Sequence, residues 1–401
     1  MQLDIPAIQK TLAMETVDGW LLYDFHGSNP IATALAGVTG QHTTRRWYYF
    51  IPATGSPKKL VHAIEPFVLD GLPGEKTSYA GRRQLEQGVS ELLRGSKVVA
   101  MEYSPECSIP YLSRVDAGTI DFVRRHGVRV VSSGDLVGRF EAAWDEAAIA
   151  THRQASEVLY SVKDRAFEYV GAKLSAGDTI TEYEVQQQMV TWLREAGLVF
   201  DAAPTAAAQE NAGNPHYWPT KDRSRAIRPN ELLLLDLWGK RNQPGSVYAD
   251  IAWVGFAGDA PEDIAKAFGT IVAGRDAAIA KVQTAVAAGE PVHGWEVDRA
   301  ARDVITAAGY GQYFIHRTGH SLGEEVHGNG VHMDDYETHD DRRLVTGTGF
   351  TIEPGIYTPA FGMRTEINMV VFEKSAEVIG PRQQALVKIA TRANADAASR
   401  R

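Results

Sequence analysis

The chain is poor in cysteine, and this shortage excludes two kinds of stabilising site. Cys107 is the single cysteine among 401 residues, so no disulfide can form within the chain and no thiolate cluster can hold a metal. Any bound metal would need oxygen and nitrogen ligands instead. A chain without disulfides fits a reducing compartment, and we expect the protein to be cytoplasmic.

Long apolar runs and an excess of basic charge are also missing. No apolar stretch approaches the roughly 20 residues that cross a bilayer, and the N-terminus lacks signal-peptide features, so we expect no membrane partner. The formal net charge of -9 disfavours a nucleic-acid partner, which would need a basic surface. The composition is that of a globular protein, and 401 residues favour two domains.

The first part of the chain, residues 1–145, alternates between short strands and helices, which predicts an α/β N-terminal domain. Its polar loop Gln41 to Arg46 is either a solvated turn or a substrate contact through Arg45 and Arg46. We expect strands at 20–24, 47–51, 59–63, 97–101 and 128–132, and helices at 82–94 and 110–125.

Near residue 145 the pattern changes to long amphipathic helices, so we place a second domain at residues 146–401. Apolar strands lie between the helices, which predicts an α+β arrangement. Pro261 suits the first helical position, where its missing N–H costs nothing. The expected helices cover 146–171, 179–196, 261–287 and 297–308.

Three histidines, His316, His320 and His327, lie within twelve residues. Gly319 and Gly323 interrupt this segment, and each glycine costs about 1 kcal/mol in a helix. A bend or strand-loop that points imidazoles into a cavity is therefore favoured over a helix face. Histidine is a common metal ligand and moves protons near neutral pH, although histidines also occur in ordinary polar loops.

Four carboxylates lie in apolar strand contexts: Asp236, Asp250, Glu353 and Glu366. Burying an isolated carboxylate is costly unless it is paired or bound to a cation, so four cases suggest a common cause. A hairpin between residues 231–238 and 247–255 would bring the two aspartates together. Oxygen ligands with one histidine suit a divalent metal, and two metals sharing carboxylates is a recurring hydrolytic design.

In this order the motifs resemble the pita-bread metallopeptidases, which include methionine aminopeptidase, aminopeptidase P and prolidase. The matching features are two strand aspartates, a His-x-x-Gly-His segment, Glu-Pro-Gly and Arg-x-Glu. The resemblance covers the whole chain, because Xaa-Pro enzymes and creatinase carry an N-terminal domain of this size. It implies an α+β pita-bread catalytic domain with five metal ligands: Asp236, Asp250, His320, Glu353 and Glu366.

The resemblance also implies roles for these residues. Asp250 and Glu366 would bridge two divalent ions, with Asp236 completing one site and His320 and Glu353 the other. A water between the ions would attack the peptide bond, and Glu353 would carry its proton. Manganese is expected first, with cobalt, zinc or iron as alternatives. Three histidines would lie near the substrate: His327 and His316, donating to the scissile carbonyl, and His216.

The implied activity is hydrolysis of the Xaa-Pro bond in dipeptides, as in prolidase. The main alternative is aminopeptidase P, which acts on longer peptides, and the other is a non-catalytic binding protein. Methionine aminopeptidase is disfavoured by the large N-terminal domain and creatinase by the complete ligand set. A homodimer is expected, in which the N-terminal loop of one subunit reaches the site of the other. Candidate arginines for a dipeptide's carboxylate are Arg45, Arg46, Arg317 and Arg364.

Some positions depart from the usual family pattern without removing a ligand. The loop between the two aspartates is a few residues longer, and Asp250-Ile continues as Ala-Trp-Val. Arg317 follows His316, Gly follows His327, and the last motif reads Arg364-Thr-Glu366-Ile. These departures bear on substrate preference more than on chemistry.

Overall fold

The computed structural model describes residues 3–392 and forms two compact units, one ending at Ala142 and the next beginning at Ala143. The division falls slightly before the domain boundary that we expected after residue 145. Within residues 3–392, no helix is both long enough and apolar enough to cross a bilayer.

The first unit is a mixed sheet with helices, as the α/β prediction requires. Its elements are α1 (Ile5–Met14), β1 (Gly19–Asp24), α2 (Pro30–Leu35), β2 (Trp47–Pro52), β3 (Lys58–His62), β4 (Glu75–Tyr79), α3 (Arg82–Leu92), β5 (Val98–Met101), α4 (Ala117–Arg124), β6 (Arg129–Ser132) and α5 (Gly134–Phe140). The strand order is β4-β3-β2-β1-β5-β6. Buried β1 divides two cores, because Trp20 and Leu22 pack on one face and Leu21 and Tyr23 on the other.

Several elements of this unit differ from our expectations: α1, α2, α5 and β4 were not predicted, and one predicted helix is shorter. The helix expected at 110–125 covers only Ala117–Arg124, because the backbone amides of Arg114 and Val115 donate to Glu102 O and hold that stretch against the end of β5. Asp116 then caps the helix by accepting from Thr119 N. β4 was missed because its residues are polar and mostly exposed, which hides the usual strand pattern.

The second unit contains long helices and, within the described residues, three sheets of five, three and two strands. The elements are α6 (Glu146–Ala176), α7 (Glu182–Glu195), β7 (Leu198–Val199), β8 (Thr205–Ala208), β9 (Leu232–Arg241), β10 (Ala249–Ala257), α8 (Glu262–Ala288), α9 (Gly294–Ala307), β11 (Gly349–Ile352), β12 (Gly355–Tyr357), β13 (Gly362–Arg364), β14 (Ile367–Val371), β15 (Ala376–Ile379) and β16 (Val387–Ile389). β10 pairs with β9 and β16, β9 also pairs with β7 and β8, β14 lies between β11 and β15, and β12 pairs with β13.

The predicted hairpin of β9 and β10 is confirmed, and its alternating residues separate a helix-packed face from a functional face. Leu233, Leu235 and Leu237 pack with α6 and α7 in one core. Leu232 and Leu234 pack on the opposite side with residues of α8. Because successive strand residues point to opposite faces, Asp236 projects on the α8 side.

All four predicted helices of this unit differ from their expected bounds. α7 begins at Glu182 and α9 at Gly294, each three residues from the predicted start, and α6 and α8 differ for reasons that the structure shows. α6 continues past residue 171, where we expected it to stop. Gly171 faces the backbone of Ala390, so its missing side chain permits a close approach of β16 instead of ending the helix. The helix ends at Gly177, which adopts a left-handed φ of 80°. α8 begins at Glu262, and Pro261 occupies the N-cap position rather than the first helical turn.

The imidazole of His152 on α6 couples the stability of this unit to pH. Its Nδ1 lies 2.8 Å from Tyr248 O, and because a carbonyl only accepts, Nδ1 carries the proton. The ring lies 4.8 Å from the Trp144 ring. Burial lowers the pKa of His152 from 6.5 to about 4.

We predict that acid destabilises the wild type more than the variant His152→Gln. Below pH 6.5, His152 binds a proton in the unfolded chain, whereas in the native protein it stays neutral until the pH approaches 4. The contribution of His152 is therefore complete above pH 6.5 and is lost as the pH falls toward 4, up to about 3 kcal/mol. Urea unfolding between pH 7 and pH 4 measures this difference, and parallel pH curves for the two proteins would contradict it.

Candidate metal centre

The centre is built around three buried side chains, Asp250, His320 and Glu366, whose ligand atoms all lie within 4.8 Å of one another. His320 Nε2 lies 3.6 Å from Asp250 Oδ2 and 3.4 Å from Glu353 Oε1. Asp236 joins the group through Arg364, which donates to its Oδ2. The structure therefore brings all five predicted ligands into one cluster.

Backbone contacts along one edge of β10 place two of these acids side by side. Asp250 N donates to Asn368 Oδ1 at 3.0 Å, and Asn368 Nδ2 donates back to Asp250 O. Glu366 N donates to Ala252 O at 3.0 Å. The apolar residues around Glu366 predicted that it lies within a strand. It lies instead in the junction between β13 and β14, because its amide pairs with β10.

The histidine segment is non-helical, as predicted, and it runs beside β11. A Cβ on Gly319 would lie 2.0 Å from Thr351 O, so only glycine permits this approach. Thr351 N donates to His320 O at 2.9 Å, and Thr351 Oγ1 accepts from His320 N at 2.9 Å. Glu353 N donates to Thr318 O at 2.7 Å, which sets Glu353 beside His320.

The electrostatics of the cluster fit a divalent cation. His320 Nδ1 lies 3.1 Å from Ser321 O and donates to it, so the Nε2 lone pair faces the carboxylates. Among the described residues, Asp250 Oδ1 and Glu366 Oε1 are buried and accept no hydrogen bond. Burial, followed by repulsion from neighbouring carboxylates, raises the pKa of both acids. Converging buried acceptors of this kind are stabilised by a cation bound between them.

Arg364 lies inside the acid cluster. Besides Asp236, its guanidinium donates to Tyr357 Oη at 2.8 Å and lies 3.7 Å from Glu353 and 4.0 Å from Glu366. Burial opposes the charge of Arg364, but Tyr357 and the carboxylates raise its pKa above the ordinary value. The guanidinium therefore orients Asp236, and a contact of Arg364 with substrate stays a prediction.

The three further histidines differ in their surroundings. His316 uses both ring nitrogens within the protein, Nδ1 with Arg317 O at 2.6 Å and Nε2 with Tyr357 Oη at 2.8 Å. His327 is exposed, and its ring stands perpendicular to that of His320 at 4.3 Å. Desolvation lowers the pKa of His327, with His320, Arg317 and His216 adding to the effect. Its ring is therefore neutral near pH 7, while His216 itself is exposed nearby.

The predicted arginine loop belongs to the first unit. Thr44 N and Arg45 N both donate to the carboxylate of Glu65, and the Arg45 guanidinium donates to Thr44 O at 3.2 Å. Arg45 and Arg46 are exposed. Their contact with substrate stays a prediction.

Sequence reasoning missed the side chains that hold the ligand segments in place. On α9, Asp298 accepts from Thr318 N at 2.8 Å and pairs with Arg302, which donates to His316 O at 2.7 Å. On α8, buried Arg275 donates to Thr365 Oγ1 at 3.0 Å. The i, i+4 spacing of Asp298 and Arg302 was visible, but it is equally typical of an exposed helix pair.

Comparison with known proteins agrees with this centre. The model of Metallopeptidase family M24 matches residues 150–373, more than half of the chain. The chain is 36% identical over 196 residues to an Xaa-Pro dipeptidase of Lactobacillus helveticus, covering 47% of each protein. It is 32% identical over 238 residues to an Xaa-Pro dipeptidase of Lactobacillus delbrueckii subsp. lactis, covering 58% of each. These alignments span about half the length of the curated relatives.

The solved structure of dipeptidase PepE from Mycobacterium ulcerans has the same fold, with a TM-score of 0.69 and 21% identity over 98% of this chain and 100% of that one. Its coverage extends through both units, which confirms the predicted combination of an α/β unit and a pita-bread unit. The matched family segment contains all five predicted ligands. The chain therefore belongs to Metallopeptidase family M24.

Proposed function

We propose that the protein hydrolyses the Xaa-Pro bond of dipeptides, with two divalent cations held by Asp236, Asp250, His320, Glu353 and Glu366. The observation that carries this proposal is the convergence of buried acceptors on one space, including the Asp250 and Glu366 oxygens that accept no hydrogen bond from a described residue. The names of the Lactobacillus relatives support the substrate class. Manganese as the resident ion, and a homodimer, are further parts of the proposal.

When bound, the cations would polarise the peptide carbonyl and bring the pKa of a coordinated water from about 15.7 toward about 7. The chain supplies the groups that orient and move protons. Glu353 Oε1 accepts from Thr351 Oγ1 at 3.1 Å, which fixes one carboxylate oxygen for proton transfer. Arg364 and Tyr357 keep Asp236 and His316 in one orientation.

His327 is the proposed donor to the scissile carbonyl. Its ring is neutral and exposed beside His320, so an imidazole N–H is available on the solvent side of the centre. A donor placed where negative charge develops stabilises the transition state more than the substrate. The ring nitrogens of His316 are occupied by Arg317 O and Tyr357, which gives that histidine a positioning part in the proposal.

The substrate test compares Ala-Pro with Ala-Pro-Ala in the presence of Mn²⁺. We expect the purified protein to cleave the dipeptide at least tenfold faster, and chelation followed by Mn²⁺ to abolish and restore this activity. Faster cleavage of the tripeptide would indicate an aminopeptidase P. Absence of cleavage of both peptides by the metal-loaded protein would favour a binding protein.

The ligand test replaces Asp250 or Glu366 by Ala. Each variant should lose bound metal and all measurable hydrolysis while keeping its circular dichroism spectrum, because each removes an acceptor from the shared space. Glu377→Ala is a control, since Glu377 is half exposed and pairs with Arg153 at the surface. Near wild-type turnover with unchanged metal content in either site variant would show that the ligands are wrongly assigned.

The donor test replaces His327 by Ala. Activity should fall by about 100- to 1000-fold, since removing one such donor costs about 2.7–4 kcal/mol in the transition state. Metal content, measured by atomic absorption, should stay the same. His339→Ala is a matched control in an exposed histidine. A depleted metal site in His327→Ala would instead identify this residue as a ligand.

A further inference from the structure

Beside the metal centre lies a cluster of two indoles and one carboxylate, Trp238, Trp218 and Asp201, that the proposed chemistry leaves unused. Trp238 lies in β9, two residues after Asp236, so both side chains project from the same face of the sheet. In the pairing of β9 with β10, Trp238 stands directly opposite Asp250. Trp238 therefore borders the centre on the side of both aspartates.

The carboxylate of Asp201 is fixed against Trp238. Trp238 Nε1 donates to Asp201 Oδ1 at 2.8 Å, and the same oxygen accepts from Ala202 N at 3.0 Å. Asp201 is exposed, so its carboxylate is accessible to a cation from solution.

Trp218 supplies the second indole. Its ring centroid lies 6.2 Å from that of Trp238, with an angle of 55° between the planes. Trp218 is among the exposed large hydrophobic side chains, with 37% of its surface accessible. It follows His216 by two residues. Its contact with Trp238, the residue opposite Asp250 on the neighbouring strand, places an exposed indole beside the centre.

We propose that Asp201, Trp218 and Trp238 form an amine-end subsite that binds the first residue of the substrate. Asp201 receives the α-ammonium, and the two indoles pack against the side chain. The inference rests on the proposed dipeptidase function and adds a preference for large apolar or aromatic first residues.

The chemistry of a dipeptide agrees with this position. Its α-ammonium lies one carbon from the scissile carbonyl, so the amine must be bound next to the metal ligands. Trp238 faces Asp250 and binds the Asp201 carboxylate through its indole N–H. The Asp201 carboxylate therefore meets this requirement. A carboxylate that accepts from an ammonium makes a charge-assisted hydrogen bond, and indole faces attract both cations and apolar side chains.

The first experiment uses ligands that differ only in the ammonium and are not cleaved at an Xaa-Pro bond. Phenylalaninamide and 3-phenylpropionamide are titrated into the Mn²⁺-loaded protein while tryptophan fluorescence is followed. Wild type should bind phenylalaninamide at least tenfold more tightly. Asp201→Asn should weaken phenylalaninamide about 10- to 100-fold and leave 3-phenylpropionamide unchanged. Asp178→Asn, an exposed carboxylate after α6, is the matched control.

The second experiment measures selectivity as the ratio of kcat/KM for Phe-Pro to that for Gly-Pro. Trp238→Ala and Trp218→Ala should each lower this ratio about tenfold, within the range that lost apolar contacts give. Trp238→Phe should keep most of the ratio, because the ring remains, yet weaken phenylalaninamide, because the N–H that holds Asp201 is gone. A general structural defect would lower kcat/KM equally for both substrates and leave the ratio unchanged.

The two proposals fail in different ways. The protein could bind the ammonium ligand selectively through Asp201 and yet cleave no Xaa-Pro dipeptide. That result would support the subsite and overturn the dipeptidase function. The protein could instead cleave Xaa-Pro dipeptides while wild type and Asp201→Asn show the same preference for phenylalaninamide over 3-phenylpropionamide. That result would overturn the subsite alone. Preference for Lys-Pro over Phe-Pro, lost in Asp201→Asn, would show that the carboxylate binds a basic side chain instead, and would also overturn it.

Discussion

The structure depends on one electrostatic constraint, the confinement of several carboxylates in one small space, two of them buried. Asp250 and Glu366 are both buried, and the same repulsion that raises the pKa of each would separate them if the backbone allowed it. Arg364 offsets part of this charge through Asp236. One guanidinium cannot balance the acids around it, so the remainder is left for bound cations.

The backbone resists that repulsion because each ligand segment is fixed from two sides. Along β10, Asn368 and Glu366 bond to the backbone of Asp250 and Ala252, so the two central acids share one scaffold. Behind them, α8 and α9 each contribute a buried ionic side chain. Arg275 holds Thr365 beside Glu366, and Asp298 holds Thr318 beside the histidine segment. Substitutions in either helix can therefore alter the centre without touching a ligand.

The sequence was sufficient to identify the side chains that converge and insufficient for the contacts that support them, and the physical reasons differ. An acid in an apolar strand carries a cost that local sequence reveals, which is why Asp236 and Asp250 could be predicted together with their hairpin. The supporting contacts join residues far apart in the chain, such as Arg275 and Thr365, and no local pattern specifies them. Glu366 shows the limit clearly. Its apolar neighbours predicted a continuous strand, but pairing with β10 interrupts the strand at that residue.

Our predictions of helix and strand boundaries were wrong for a related reason, because tertiary contacts overrode the local sequence signals. Gly171 looked like a helix end because glycine is a poor helix former, yet it lies within α6 where β16 approaches. The stretch before α4 has helical spacing but is held by Glu102 O. The polar strand β4 offered no apolar alternation to find. Each difference follows from a partner that only the folded chain supplies.

The two faces of the β9–β10 hairpin show which of its tryptophans packs in the core and which lies on the face of Asp236 and Asp250. Trp253 follows Asp250 by three residues and therefore points to the opposite face, where its ring packs against Tyr160 and lies 3.6 Å from Lys163 Nζ. This departure from the usual family pattern concerns the packing of β10 on α6 rather than the substrate. Trp238 has the opposite parity and shares the face of Asp236 and Asp250. Strand alternation thus places one tryptophan of the hairpin in the core and the other on the face of Asp236 and Asp250, where we propose that it contacts the substrate.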